Sequence, residues 1–185
     1  MGCNRGLQQF TPDAMVWSDR QPYWQQLGHI RSYGGVRIIS RTIFNKDIEV
    51  RGEPVAPAFD GNHISIMITT AGEEFVPKFS FDSIFLSGPS IALIMLQLAV
   101  AAGYKRIGLM GIDFDYSKEQ THFWGRGEEL GAFQPSDFAM HRIVKLLTLI
   151  REAALKTGAR IHNLSPVRGR VDAIFPERFW ESWLR

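Results

Sequence analysis

The sequence predicts an α/β protein, a Rossmann-like parallel sheet with helices on both faces. Three observations carry that prediction. Short apolar runs alternate with longer helical patterns, the order expected of parallel strands joined by crossover helices. The runs are nearly continuous in apolar residues, as strands covered on both faces are. Glycines at 103 and 158 follow the two clearest helical patterns, where helices commonly stop.

Ala14-Met15-Val16-Trp17 reads as a short buried strand ending in Ser18-Asp19. Gln21 to Leu27 reads as one or two helical turns, with Pro22 early, where proline is tolerated. Val36 to Ser40 is a second strand, and the region from Arg41 to Ser80 is less regular, its glycines and prolines marking loops. Within it, Ile64, Ile66 and Ile68 alternate with polar or flexible neighbours, which predicts an exposed or edge strand over His63 to Thr69.

Ser83 to Leu86 enters the turn Ser87-Gly88-Pro89-Ser90, and a helix runs on to about Ala102. Arg106 to Gly111 is a parallel strand closing on Gly111-Ile112-Asp113-Phe114-Asp115. A second helix spans about Ser136 to Thr157, with Ile143, Leu146, Leu147, Ile150 and Ala154 on one face and Ser136 as its cap. Arg160 to Leu164 is a last strand, and Pro176 to Leu184 a closing helix with Phe179, Trp180 and Trp183 packed inward.

The composition bounds what such a fold can do. A chain of 185 residues suits one domain, 1–185, with a full core. A net charge of +2 is too small to indicate a nucleic-acid partner. The single cysteine excludes an internal disulfide and, with no secretory signal in view, predicts a cytoplasmic protein. The uncharged stretch from Ile84 to Tyr104 is apolar without break only from Ile91 to Ala102, Gln97 aside. That is short of the roughly 20 residues a membrane span needs, so the chain is not expected to be transmembrane.

In parallel sheets ligands bind beyond the carboxyl ends of the strands. The residues to weigh are therefore Asn4, Asp19, Ser87-Gly88, Asp113 with Asp115, and Asn163 to Ser165. A glycine-containing turn entering a helix can cradle a phosphate on backbone N–H groups; it can equally be a tight turn with a serine cap. Asp113 and Asp115 could hold Mg²⁺ between phosphates, bond a ribose hydroxyl or orient a histidine. His122 suits general acid–base chemistry, since its reference pKa lies near neutrality, but could be a structural hydrogen-bonder. Asn4 and Asp19 could read a base or a ribose, or serve their turns. Arg126, Arg168 and Arg170 are candidate phosphate contacts or solvated surface. Cys3 reads as a small buried residue rather than a nucleophile.

The stretch SGPSIALIMLQLAVAAGYKRIGLMGIDFDY, followed by THFWG and IHNLSP, resembles a known superfamily. That group joins archaeal 6-hydroxymethylpterin pyrophosphokinase-like proteins, motility-associated flagellin glycosyltransferases and bacterial lipooligosaccharide sialyltransferases. The resemblance covers roughly residues 1–175 and is sharpest over 87–125. It implies a Rossmann-like fold in which Asn4, Asp19, Ser87 and Gly88 hold a nucleotide and His122 is the acid–base residue; the strand-end reading adds Asp113 to the nucleotide set and Asp115 to the catalytic pair. Three departures accompany it. Arg126 stands where the sialyltransferases carry a second histidine, and Tyr116 falls one place late for their catalytic tyrosine. The family's usual first strand and G-x-G-P-S loop should precede Gly2. A missing strand would leave a sheet position to be filled by a partner in a homo-oligomer, by chain rearrangement, or not at all.

The function implied is that of a glycosyltransferase-like protein using a nucleotide-sugar donor and a small-molecule or glycan acceptor, in surface polysaccharide or flagellin modification. The alternatives are Mg²⁺-dependent diphosphate transfer to a pterin-type alcohol and a non-catalytic nucleotide-binding remnant.

Overall fold

The computed structural model describes residues 1–3, 10–47, 55–56, 61–70, 76–88, 90–112, 137–165 and 170–175, with the backbone alone for 137–139 and 170. The chain divides into two compact units, Met1–Ser87 and Gly88–Arg185.

The first unit is built on five parallel strands: β1 (Gly2–Cys3), β2 (Ala14–Trp17), β3 (Val36–Ser40), β4 (Ile64–Thr69) and β5 (Ile84–Leu86). Their order in the sheet follows the chain, β1-β2-β3-β4-β5. Two short helices, α1 (Arg20–Gln25) and α2 (Leu27–Ser32), join β2 to β3. The helical reading of Gln21 to Leu27 is thus extended by a further turn and a half. A 3₁₀ turn, Arg41–Ile43, leaves β3.

Side chains alternate across a strand. Met15 and Trp17 of β2 and Ile39 of β3 accordingly share one face, and Tyr23, Ile30, Tyr33, Ile43 and Ala56 complete a buried cluster with them. Trp17 meets Tyr23 and Tyr33 edge-on, each with ring centroids 6.5 Å apart. The Tyr33 hydroxyl donates to the Pro12 carbonyl, which ties the approach of β2 to the end of α2. The opposite face carries Val16, Ile38, Ile66 and Phe85, also buried. Both faces being covered explains the near-continuous apolar runs of β2 and β3.

Of the expected exposed or edge strand, β4 has the exposure but is not an edge. It pairs on both sides, with β3 and with β5. Its alternation arises because cover is uneven: Ile66 is fully buried while Ile64 and Met67 are each 40% exposed.

The second unit holds α3 (Ala92–Ala101), β6 (Arg106–Leu109), α4 (Asp137–Lys156) and β7 (Arg160–Asn163), with a 3₁₀ turn at Arg170–Ala173. β6 and β7 pair in parallel, Ile107 opposite Ile161 and Leu109 opposite Asn163. Those four residues are buried, whereas Arg106, Gly108 and Arg160 are exposed. α4 packs on β7 and on α3. It does so through the expected stripe: Ile143, Leu146, Leu147, Ile150 and Ala154 are all buried. Each such side chain removed from water stabilises the fold by roughly 1.5–3 kcal/mol, alanine less. Gly103 and Gly158 end the two helices with φ of +88° and +80°, a backbone region that side chains with a Cβ rarely enter.

The fold class is therefore α/β and Rossmann-like, as the sequence predicts. Among the described residues no helix is long and apolar enough to cross a membrane. The closing helix expected over 176–184 lies outside the described residues.

Candidate functional site

Parallel pairing brings the carboxyl ends of all five strands of the first unit to one edge. In sheet order that edge presents Cys3, Ser18 with Asp19, Ser40, Thr69 and Ser87. No reversal of strand order falls between β1 and β5, so the row is a continuous rim.

Asp19 is an acidic group on this rim. It occupies the N-cap position of α1, with extended backbone angles, yet its side chain makes no cap hydrogen bond. Its carboxylate instead accepts from the Ser18 hydroxyl at 3.3 Å. Asp19 is exposed on its outer side. The protein packed around the rest of the carboxyl raises its pKa by desolvation, and the Ser18 hydrogen bond lowers it in part. The turn role that sequence left open for Asp19 is thus not taken up by its side chain.

Cys3 ends the neighbouring strand, paired with Val16. Burial, and then the negative charge of Asp19, push its thiol up to about 11. At neutral pH it is a protonated thiol, consistent with a packing residue rather than a nucleophile.

The turn after β5 has structural duties of its own. The Ser87 N–H extends the β4–β5 ladder by donating to the Thr69 carbonyl at 2.6 Å. A Cβ on Gly88 would lie 2.7 Å from Leu93 Cδ1 and 3.3 Å from Leu146 Cδ1. Glycine at 88 thus lets the turn lie against α3 and α4. Ser90 supplies the cap: its Oγ accepts from the Ala92 N–H and its carbonyl from the Leu93 N–H, each at 3.2 Å. Two amides at the start of α3 therefore already have partners. The Ser87 hydroxyl is half-buried and makes no hydrogen bond among the described residues.

Asn163 resolves as a structural residue. Its amide donates to Asp172 at 2.7 Å, and its side-chain oxygen accepts from the Ser165 N–H at 3.0 Å.

Sequence reasoning passed over two features of the rim. Ser40 and Thr42 pair their hydroxyls at 2.8 Å beside Asp19's helix, and Arg20 is buried directly after Asp19. Applying the strand-end rule to Val36–Ser40 as well would have found the first.

Asn4, Asp113, Asp115 and His122 lie outside the described residues, as do Arg126 and Arg168. Among the described residues no group of three or more His, Cys, Asp or Glu could hold a metal ion. No protein-family model, curated protein or solved structure matches the chain.

Proposed function

We propose that this chain binds a nucleotide or nucleotide-sugar at the carboxyl rim of the β1–β5 sheet and acts as a glycosyltransferase-like protein. The observation that carries the reading is Asp19. It is an exposed carboxyl group at a parallel strand end, its pKa raised by desolvation and lowered in part by the Ser18 hydrogen bond, and left uncommitted by the helix it precedes. A carboxylate in that state suits the hydroxyls of a ribose or an exocyclic amine of a base, which donate to it. The half-buried hydroxyl of Ser87 extends the same polar rim, while the buried hydroxyls of Ser18 and Ser40 bond to Asp19 and Thr42 behind it.

The resemblance and the strand-end reading supply the rest of the proposal. Asn4 joins Asp19 on the nucleoside, Ser87 and Gly88 approach the phosphates, and Asp113 and Asp115 meet ribose or phosphate, with Mg²⁺ if the ligand carries it. His122 takes the proton of the acceptor hydroxyl as its oxygen bonds to the anomeric carbon, the bond from that carbon to the donor's phosphate oxygen breaks and the nucleotide leaves with the electron pair, and Asp115 assists. Retention of nucleotide affinity with loss of transfer in His122→Ala supports that role; full turnover in the variant removes it.

A thermal-shift series with CMP, UDP, GDP and ATP and their sugar conjugates, each with and without Mg²⁺, tests the class. Stabilisation by a sugar nucleotide supports transfer of a sugar. Stabilisation by ATP with Mg²⁺ alone favours diphosphate transfer to a pterin-type alcohol. No shift with any of them contradicts nucleotide binding.

A further inference from the structure

We propose that Arg20 is a positioning residue for the ligand site, holding the segment after β3 in place beside Asp19. The inference rests on the proposed rim site and adds a residue that neither the strand-end rule nor the resemblance assigns. Arg20 is 4% exposed, in the first turn of α1, immediately after Asp19. Its Nε donates to the Thr42 carbonyl at 3.1 Å and its Nη2 to the Asn45 carbonyl at 2.5 Å. Two donors of one rigid, planar guanidinium thus reach two carbonyls of one turn, a geometry that a lysine ammonium cannot reproduce.

Among the described residues the outer half of the turn is otherwise held by the Phe44 ring, which meets His63 at 5.8 Å, and by the Asp47 N–H, which donates to the Asn45 side chain at 2.9 Å. Ile43 is buried in the core cluster, and the Phe44 ring meets Tyr23 edge-on at 5.4 Å. Arg41, Asn45, Lys46 and Asp47 are exposed. The backbone closes on itself through the Phe44 and Asn45 N–H groups, both donating to the Arg41 carbonyl at 3.2 Å. Arg20 links this turn to the first turn of α1, directly after Asp19. Through it Thr42, whose hydroxyl pairs with that of the buried Ser40, keeps its place near the end of β2. Asp19 and the half-buried Thr42 then meet a ligand in one preset arrangement, and binding need not order the turn.

The test compares Arg20→Met, which keeps length and apolar packing, with Arg20→Lys, which keeps the charge and one directed donor. Hydrogen exchange is followed at the amides of Phe44 and Asn45, with the Leu164 amide, bonded to the Leu109 carbonyl, as a control in the other unit. The nucleotide that stabilises the wild-type chain is then titrated into each variant. We expect exchange at Phe44 and Asn45 at least tenfold faster in Arg20→Met, intermediate in Arg20→Lys, and unchanged at Leu164. Nucleotide affinity falls about tenfold in Arg20→Met and recovers in part in Arg20→Lys. Wild-type exchange in both variants overturns the proposal, and so does a loosened turn with undiminished affinity. If Arg20→Met does not fold, the Arg20→Lys data decide by the same criteria. If the wild-type chain binds no nucleotide, the rim reading fails, and the exchange data alone then decide whether Arg20 positions the turn.

Discussion

Asp19 raises the thiol pKa of Cys3 from the neighbouring strand. Burial is the larger cause, and the carboxylate adds to it, bringing the thiol to about 11. Thiolate is the reactive form, so Cys3 should alkylate with iodoacetamide about a hundredfold more slowly at pH 7.5 than an unshifted thiol. The rate should climb with pH until about 11. Asp19→Asn removes the charge and should speed the reaction at every pH below that. Equal rates in the two proteins would show that the charge does not reach the thiol. The same shift gives a stability contribution that is present below the ordinary thiol value of 9.0 and lost as pH rises through about 11.

Asp19 itself has a folded pKa above its ordinary value of 3.8. The fold therefore favours the protonated carboxyl. That contribution is intact below pH 3.8 and is lost as pH rises through the folded pKa. Solvent reaches the group, so the effect is small. Asp19→Asn should raise Tm at pH 7 by about 1–2 °C and leave it unchanged near pH 3. If Asp19 serves a ligand, the same variant loses nucleotide affinity; the residue then trades stability for binding. A fall in Tm at pH 7 would mean that the carboxylate has a structural role.

Ser87 and Gly88 are neighbours with separable duties. Gly88→Ala places a methyl 2.7 Å from Leu93 Cδ1 and should destabilise the fold by about 1–3 kcal/mol through overpacking. Ser87→Asp adds a negative charge at the rim and should weaken binding of a phosphate-bearing ligand with little change in Tm. Chemical denaturation and nucleotide titration of both variants check the separation. A Ser87→Asp protein that binds as tightly as wild type would remove phosphate from the neighbourhood of Ser87.

Gln26, between α1 and α2, is 1% exposed, and neither polar atom of its side-chain amide has a hydrogen-bond partner among the described residues. Its backbone is satisfied: the N–H bonds to Trp24 and Tyr23 and the carbonyl accepts from Ile30. Gln26→Met should therefore stabilise the protein by about 1 kcal/mol, seen as a rise of about 2–4 °C in Tm. A loss of stability would reveal a buried partner for the amide, such as an ordered water.

Much of the fold was legible because its signals are local. Val36–Ser40 read as a strand and is one; the stripe from Ile143 to Ala154 is buried as its spacing requires; and the helix stops at 103 and 158 have the positive φ that glycine permits. β4 has the exposure that its alternation predicts but is not an edge, because alternation records burial along the strand and not how many neighbours the strand pairs with. The continuation of α1 into α2 was missed because Gly28 and His29 are weak helix formers, and Ile30 is held by the core instead. At the site, strand ends could be counted from sequence, which placed Asp19 and Ser87. What each side chain does there could not. The serine cap was one of two readings open for the 87–90 turn and Ser90 provides it, but the packing of Gly88 against Leu93 and Leu146 is not local, and the buried role of Arg20 depends on carbonyls more than 20 residues away.

The central claim is that the carboxyl rim of the first unit binds a nucleotide through Asp19. Isothermal titration of the wild-type chain and Asp19→Asn with the nucleotide that gives the largest thermal shift tests it most directly. The account predicts saturable one-site binding to the wild type and an affinity at least tenfold weaker in Asp19→Asn, whose fold is as stable or more so. Equal affinity of the two proteins, or no binding by either across the nucleotide series, would contradict it.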